Sequence, residues 1–306
     1  MSALFWKELA DHFGRRRFTL LLGLVALGLV WGAFVDLGAL AASGRRFFFL
    51  DVFTTTAGVP ISLLSFLSFF GPVIGIALGF DAINGERTQG TLARLLAQPL
   101  HRDSVYNAKF LAALLTLGLV VASMMIVVIG LTMFRMGIAP TGEEVVRLTG
   151  LGLVTVAYLA FWLALAITAS VLFRNTVTSA LASIGMWFAL GFLITLLGGV
   201  LADRIVPEIE TTDDAVRHVN VESWAGRVSP AGLYSEATSI LLDPIGGRAL
   251  NLFTIEPERL EGLLSTPVSA GQSLQLVWPH IVVLVAMVAV LLAVSYVRFM
   301  REEIRA

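Results

Sequence analysis

Six stretches of this 306-residue chain are each long and apolar enough to cross a bilayer as a helix: Phe18 to Leu37, Ile61 to Phe80, Ala108 to Phe134, Leu148 to Phe173, Thr176 to Ala202, and Leu276 to Val297. A helix rising about 1.5 Å per residue needs about 20 such residues to cover the hydrocarbon. No water there satisfies backbone N–H and C=O groups, so a chain built this way folds as helices. The predicted fold is an all-α, polytopic membrane protein with six transmembrane helices. Composition agrees: 57% of residues are apolar, 14% are charged, and the mean hydropathy is +0.85. A soluble domain carries about a quarter charged residues, so this chain has too little polar surface to cover itself in water. A net charge of -1, with no basic run among aromatics, excludes nucleic acid as a partner. With no cysteine and four scattered histidines (His12, His101, His218, His280), no disulfide, metal site or thiol nucleophile is expected.

Charges mark the ends of these stretches: Arg15, Arg16 and Arg17 precede the first, Asp81 follows the second, and Lys109 and Arg135 flank the third. Placing the N-terminus in the cytoplasm puts Lys7, Arg15 to Arg17, Arg87, Arg94, Arg102, Lys109, Arg174, Arg298, Arg301 and Arg305 inside, 12 of the 21 basic residues. Short outer loops then hold only Arg45, Arg46, Arg135 and Arg147. The other five basic residues lie in or beside a long outer segment, where the positive-inside bias counts for less. The expected location is the cell membrane, multi-pass, with both termini cytoplasmic. Ala39-Leu40-Ala41 imitates a leader-cleavage site, but the preceding apolar run is too long, so no removable leader is expected. Phe5, Leu9 and Phe13 recur every four residues with Trp6 and Ala10 beside them, while Lys7, Glu8, Asp11 and His12 fall elsewhere. This single stripe predicts residues 1–17 as an amphipathic helix lying at the cytoplasmic interface. Phe47 to Phe53 is apolar but too short to cross and contains Asp51; it too is expected at the interface.

The inner loop 81–107 carries more than a connection needs. Thr91 can cap a short helix whose apolar face is Leu92, Leu95 and Leu96 and which Pro99 ends. Asp81, Glu86, Arg87 and Arg94 lie near the low-dielectric boundary, where an unpaired charge is costly, and are expected to pair with one another or with the N-terminal helix. The run Gly85-Glu86-Arg87-x-x-Gly90-Thr91-Leu92-x-x-Leu95-Leu96-x-x-Pro99-x-x-Arg102, followed by Lys109-Phe110-Leu111-Ala112, resembles the cytoplasmic signature of type-2 ABC exporter permeases. The six-stretch plan, Lys7-Glu8-Leu9 on an N-terminal helix and an enlarged outer segment before the last span are similar to that family too.

The resemblance implies the transmembrane subunit of an ATP-driven exporter. Asp81, Glu86, Arg87, Gly90, Thr91, Leu92, Leu95, Leu96, Pro99 and Arg102 would couple it to a separate ATPase subunit, with Glu86 in a polar contact that relays motion. The turn Phe173-Arg174-Asn175 would be a second, smaller contact through Arg174. The resemblance further implies two ATPase copies, a second permease copy (the same chain or a similar one), and no cofactor in this chain, ATP and Mg being held by the ATPase. The runner-up reading is a membrane subunit that remodels or matures an extracytoplasmic partner protein, as similar permeases do in copper-enzyme maturation.

What the chain lacks points the same way. A secondary transporter places ionisable residues at mid-membrane, whereas Asp36, Asp81, Lys109 and His280 all fall near predicted span ends. Neither lysine, Lys7 after Trp6 or Lys109 after Ala108, follows a glycine, as a P-loop requires. No catalytic site is expected in this chain. Glu143-Glu144-Val-Val-Arg147 resembles the paired-glutamate motif of intramembrane CAAX-type proteases, but the spacing is wrong, and neither a His-Glu-x-x-His pattern nor a Gly-x-Ser-x-Gly elbow occurs.

Gly71, Gly75 and Gly79 recur every four residues, as do Gly28 and Gly32, which lets helices approach closely. Two readings stay open: packing within one subunit, or a seam between two copies. Pro72 removes a backbone bond and is a candidate kink. Phe66, Phe69, Phe70, Trp187, Phe188 and Phe192 are a candidate aromatic lining for a translocation path. The segment 203–275 is too acidic and broken to cross. Within it Ser229-Pro230 starts a helix with Leu233, Ala237, Ile240 and Leu241 on one side, ended by Asp243-Pro244, and a second is expected near Glu256-Pro257. The expected units are therefore the interface helix 1–17, spans one to five over 18–202, the extracytoplasmic segment 203–275 with interfacial or re-entrant helices, and the last span with its tail, 276–306.

Overall fold

The computed structural model describes residues 2–14, 22–23, 26, 30, 34–42, 48–59, 61–90, 102–207, 212–243 and 268–301. Among them the elements are α1 (Ser2–Gly14), α2 (Leu37–Ala42), α3 (Phe48–Thr54), α4 (Leu63–Gly79), α5 (Asn84–Thr88), α6 (Arg102–Met136), α7 (Gly142–Leu172), α8 (Thr176–Phe188), a π-helical turn (Ala189–Leu193), α9 (Ile194–Ile205), α10 (Thr212–Gly226), α11 (Pro230–Leu242) and α12 (Ala270–Arg301). No strand occurs among the described residues. Five helical stretches, Leu63–Thr88, Asp103–Met136, Gly142–Leu172, Thr176–Ile205 and Ala270–Arg301, are long and apolar enough to cross a membrane. Each overlaps one stretch read from sequence. The remaining one, Phe18 to Leu37, lies almost wholly outside the described residues, as do Gly28, Gly32 and the helix expected near Glu256.

α7 is the spine. Of its most apolar stretch 78% is buried, against 6% for Thr176–Ile205, because α4, α6, α8, α11 and α12 all pack against it. Its start is fixed by a capping box: the Thr141 hydroxyl accepts from the Glu144 N–H, and the Glu144 carboxylate accepts from the Thr141 N–H. The glycine stripe of α4 faces α7 within the same chain. A Cβ on Gly71 would lie 2.7 Å from a Leu159 methyl, one on Gly75 2.9 Å from the Leu159 carbonyl, and one on Gly79 2.8 Å from the Leu163 carbonyl. The intrachain reading is therefore the one the structure adopts for these three glycines, and they are not a seam between copies. Pro72 leaves the Ser68 carbonyl, four residues earlier, without its helical donor. The Tyr158 hydroxyl of α7 donates to that oxygen at 3.0 Å.

In the two segments expected at the interface, the structure buries more than the sequence pattern suggests. α3 is not a surface strip: Leu50 and Phe53 are fully buried in the main core, and the Phe49 N–H donates to Glu144 Oε1 at 2.9 Å. The helix fills the space between α4 and α7 at one end of the bundle. α1 packs on the first turns of α6, with Leu4 against Val105 and Ala108. Glu8, assigned to the polar side, is buried, while Trp6 and Phe13 are exposed; an ion pair with Lys109 draws Glu8 inward. α11 follows its sequence reading to the residue: Ser229 caps it, Leu233, Ala237, Ile240 and Leu241 are buried, and Asp243 closes it.

The contact between α4 and α7 makes a stability prediction. Gly79→Val forces backbone atoms apart and should lower stability by about 1–3 kcal/mol. Gly185→Ala, where a Cβ meets nothing within 4 Å, should stabilise by about 0.5–1 kcal/mol. Thermal unfolding of the purified protein in detergent measures both.

Candidate functional site

The end of the bundle that carries the loop motif is built around one lysine. Lys109, the eighth residue of α6, lies between two carboxylates: its Nζ donates to Glu8 Oε2 at 3.0 Å, to Glu8 Oε1 at 3.1 Å and to Glu86 Oε1 at 2.6 Å. Side-chain exposures of 6% for Lys109, 6% for Glu8 and 15% for Glu86 mean that solvent screens these contacts little. Three segments meet there: α1, α5 and α6. A second junction lies beside it. The Ser170 hydroxyl of α7 accepts from the N–H groups of Ile83 and Asn84, and the buried Asn84 amide donates to the carbonyls of Phe173 and Asn175 at 3.4 Å. The root of the inner loop is thereby pinned to the α7–α8 turn.

The expected coupling residues divide accordingly. Asp81 lies in the turn before α5, Glu86 and Arg87 on α5, all half-buried, and Arg174 is exposed on the α7–α8 turn. Gly90 has φ +68°, a conformation that favours glycine. Thr91, Leu92, Leu95, Leu96 and Pro99 lie outside the described residues, and Arg102 opens α6. The expected pairing of loop charges with the N-terminal helix takes the form of a relay through Lys109. Sequence reasoning quoted Glu8 and Lys109 but gave neither a role, and it missed Asn84 and Ser170. The available signal was a lysine, one of two in the chain, at the head of a long apolar run. Of the interface-helix residues, Leu9 is buried, Phe5 is half-buried and Phe13 is exposed.

At the opposite end the six candidate aromatics come together. Phe69 meets Phe70, Trp187 and Phe192 edge-on at 5.0, 5.2 and 6.2 Å, Phe66 lies 4.8 Å from Phe70, and Phe188 stacks on Phe192 at 4.8 Å. The π-helical turn holds Gly191 and Phe192. Beside the cluster lies a cavity of about 280 Å³ between α4, α7, the π-turn and α11.

Buried charge at this end is answered by clamps. Arg147 of α7 is fully buried and donates to the Leu241 carbonyl, Ser273 Oγ, the Val268 carbonyl and Glu143. Arg147, paired with Glu143, thus fixes α11 and the start of α12 onto α7, while Glu144 holds α3. Glu236 of α11 accepts from Arg227 through both oxygens, at 2.8 and 2.5 Å, and lies 3.1 Å from His280 Nε2. Burial pushes its carboxyl upward, but Arg227 and His280 outweigh that and hold it at about 2. Desolvation pushes the Tyr234 hydroxyl up to about 12, so it stays neutral. His280 is the eleventh residue of α12, which begins at Ala270 rather than near Leu276. The last helix is thus longer than the apolar stretch Leu276 to Val297 read from sequence, and His280 stays within five residues of that stretch's start.

The described bundle has five helical stretches long and apolar enough to cross a membrane, one charged and one neutral polar junction at one end and an aromatic group at the other, as a polytopic membrane protein has. Residues 2–304 match the family described as ABC-2 family transporter protein, and the chain belongs to that family: it is a multi-pass membrane subunit of an ABC transporter. Two relatives carry the name "Probable ABC transporter permease protein NosY". The one from Pseudomonas aeruginosa is 29% identical over 245 residues, 73% of this chain and 84% of the relative. The one from Stutzerimonas stutzeri is 28% identical over 246 residues, 75% of this chain and 84% of the relative.

Two outcomes follow. Lys109→Met removes the cation that Glu8 and Glu86 share and should cost about 3–5 kcal/mol; adding Glu8→Gln and Glu86→Gln should recover most of it, as chemical denaturation will register. The folded-state pKa of Glu236 lies below its ordinary value of 4.5, so its contribution is present above pH 4.5 and is lost as pH falls toward 2. Unfolding midpoints scanned over that range should drop steeply in the wild type and much less in Glu236→Gln.

Proposed function

We propose that this chain is the translocation subunit of an ATP-driven exporter, driven by a separate ATPase through the inner loop. Membership of the family implies an ATPase partner; direction and coupling route are the reading offered here. The observation that carries it is the buried Glu8–Lys109–Glu86 junction, because it ties the N-terminal helix, the loop root and the third apolar stretch into one unit. A push on Thr91 to Pro99 from an ATPase holding ATP and Mg would move α1, α4 and α6 together, while Asn84 carries it to Arg174 and α8. Both termini would be cytoplasmic. The bare apolar face of Thr176–Ile205 supports a second permease copy, giving two permeases and two ATPases, with Phe66, Phe69, Phe70, Trp187, Phe188 and Phe192 along the exit path.

A second reading draws on the outer segment. Trp224 and Val228 are strongly exposed, and the Arg227 guanidinium sits 4.9 Å over the Trp224 ring. This patch supports a role in which the same motor remodels an extracytoplasmic partner.

Glu86→Gln with Arg87→Ala should leave the partner ATPase folded and its basal hydrolysis unchanged, yet abolish its stimulation by the permease in proteoliposomes. Undiminished stimulation would count against coupling through this loop. Trp224→Ala should spare small-molecule flux under the first reading and abolish partner maturation under the second.

A further inference from the structure

The aromatic group has a chemically distinct neighbour. The cavity beside it has a wall of six hydroxyl-bearing residues, Ser65, Ser68, Tyr158, Tyr234, Ser235 and Thr238, and among the described residues no charged one lines it. Four of its positions on α11, Ala231, Tyr234, Ser235 and Thr238, follow helical spacing and share one face. The opposite face of α11 carries buried Leu233, Ala237, Ile240 and Leu241, with Glu236 tied to Arg227 and His280. The helix is thus held from behind and presents Ser235 to the cavity, while the Thr238 hydroxyl donates to the Tyr234 and Ser235 carbonyls of its own helix. Some of these groups are engaged: Tyr158 donates to the Ser68 carbonyl, Tyr234 shares a hydrogen bond with Thr155, and the two tyrosine rings stack at 4.3 Å and 11°. The Ser68 and Ser235 hydroxyls have no hydrogen-bond partner among the described residues. The cavity is open on one side, with Ser65, Phe69 and Ser235 exposed, and its mixed aromatic and hydroxyl wall suits a molecule with both an apolar body and a polar group.

We propose that this cavity is a binding site for an uncharged amphiphile: a small molecule with a flat apolar body and one or two hydroxyl, carbonyl or amide groups. Phe69, Trp187 and Phe192 meet edge-on and offer ring faces and edges to the apolar body. The free serine hydroxyls take the polar group. A charged ligand finds no counter-charge and would carry its full desolvation cost. The volume admits a single compact molecule. As a substrate site the cavity rests on the translocation reading above; as a binding site it does not.

The chain has no cysteine, so single cysteines report cleanly. Ala231→Cys and, separately, Ser65→Cys place a thiol on the cavity wall while keeping the Ser68 and Ser235 hydroxyls; Ile138→Cys places one on an exposed position away from it. The purified chain in nanodiscs is alkylated with N-ethylmaleimide in the presence of N-phenyl-1-naphthylamine, which is neutral, or 1-anilinonaphthalene-8-sulfonate, the same scaffold bearing a charge. At ten times its dissociation constant the neutral probe should slow alkylation of both cavity cysteines about tenfold. It should leave Ile138→Cys unchanged, and the sulfonate at equal concentration should protect neither cavity position. Equal protection by both probes, protection at all three positions, or no protection anywhere would each overturn the proposal. Co-reconstitution with the ATPase separates the two readings: protection without ATP-driven probe flux removes the path and keeps the site, whereas flux without protection does the reverse.

Discussion

Everything in this bundle is positioned by the backbone contact between α4 and α7. Three glycines bring two helices within reach of each other's carbonyls, and no side chain larger than hydrogen fits between them. Close approach of this kind is how helices hold together where lipid offers no hydrophobic drive between them. The contact also joins the two functional regions. Residues 63–88, about 39 Å long by helical rise, run from the cavity wall at Ser65 and Ser68 to the junction at Asn84 and Glu86. In the functions proposed above, one end of α4 would serve a ligand and the other a motor.

Charge is used sparingly and always in company. Lys109 with Glu8 and Glu86, Arg147 with Glu143 and three neutral oxygens, and Glu236 with Arg227 and His280 are each drawn from separate stretches of chain. Such clusters add little net stability over apolar packing, and their loss in part is costly because an uncompensated charge is left behind. Their role is placement. Only one arrangement of α1, α5 and α6 answers the lysine, and only one arrangement of α7, α11 and α12 answers the arginine.

Much of this was legible beforehand. Five apolar stretches became helices, since length and hydropathy are direct measures of what lipid tolerates. α11 was readable because Ser229, Pro230 and Asp243 act within their own turns. What escaped was decided across the chain. Glu8 faces inward because Lys109, 101 positions away, faces it; no local period carries that information. α3 is buried because α7 presents Glu144 to its first free N–H. Asn84 and Ser170 are ordinary residues until the fold lays one over the other. The glycine stripe was visible as a contact surface, but its partner could be named only once α7 was seen against it.

Pro72 makes α4 something other than a uniform beam. The rung it deletes lies at Ser68, and the replacement hydrogen bond comes from Tyr158 on α7. A helix bends first where its ladder is interrupted, so the flexing point of this rod sits beside the cavity, propped by a residue of the neighbouring helix. Tyr158 props the interrupted rung from the neighbouring helix, and under the coupling proposed above a displacement at the charged end would reach the aromatic end as a change of tilt about that point.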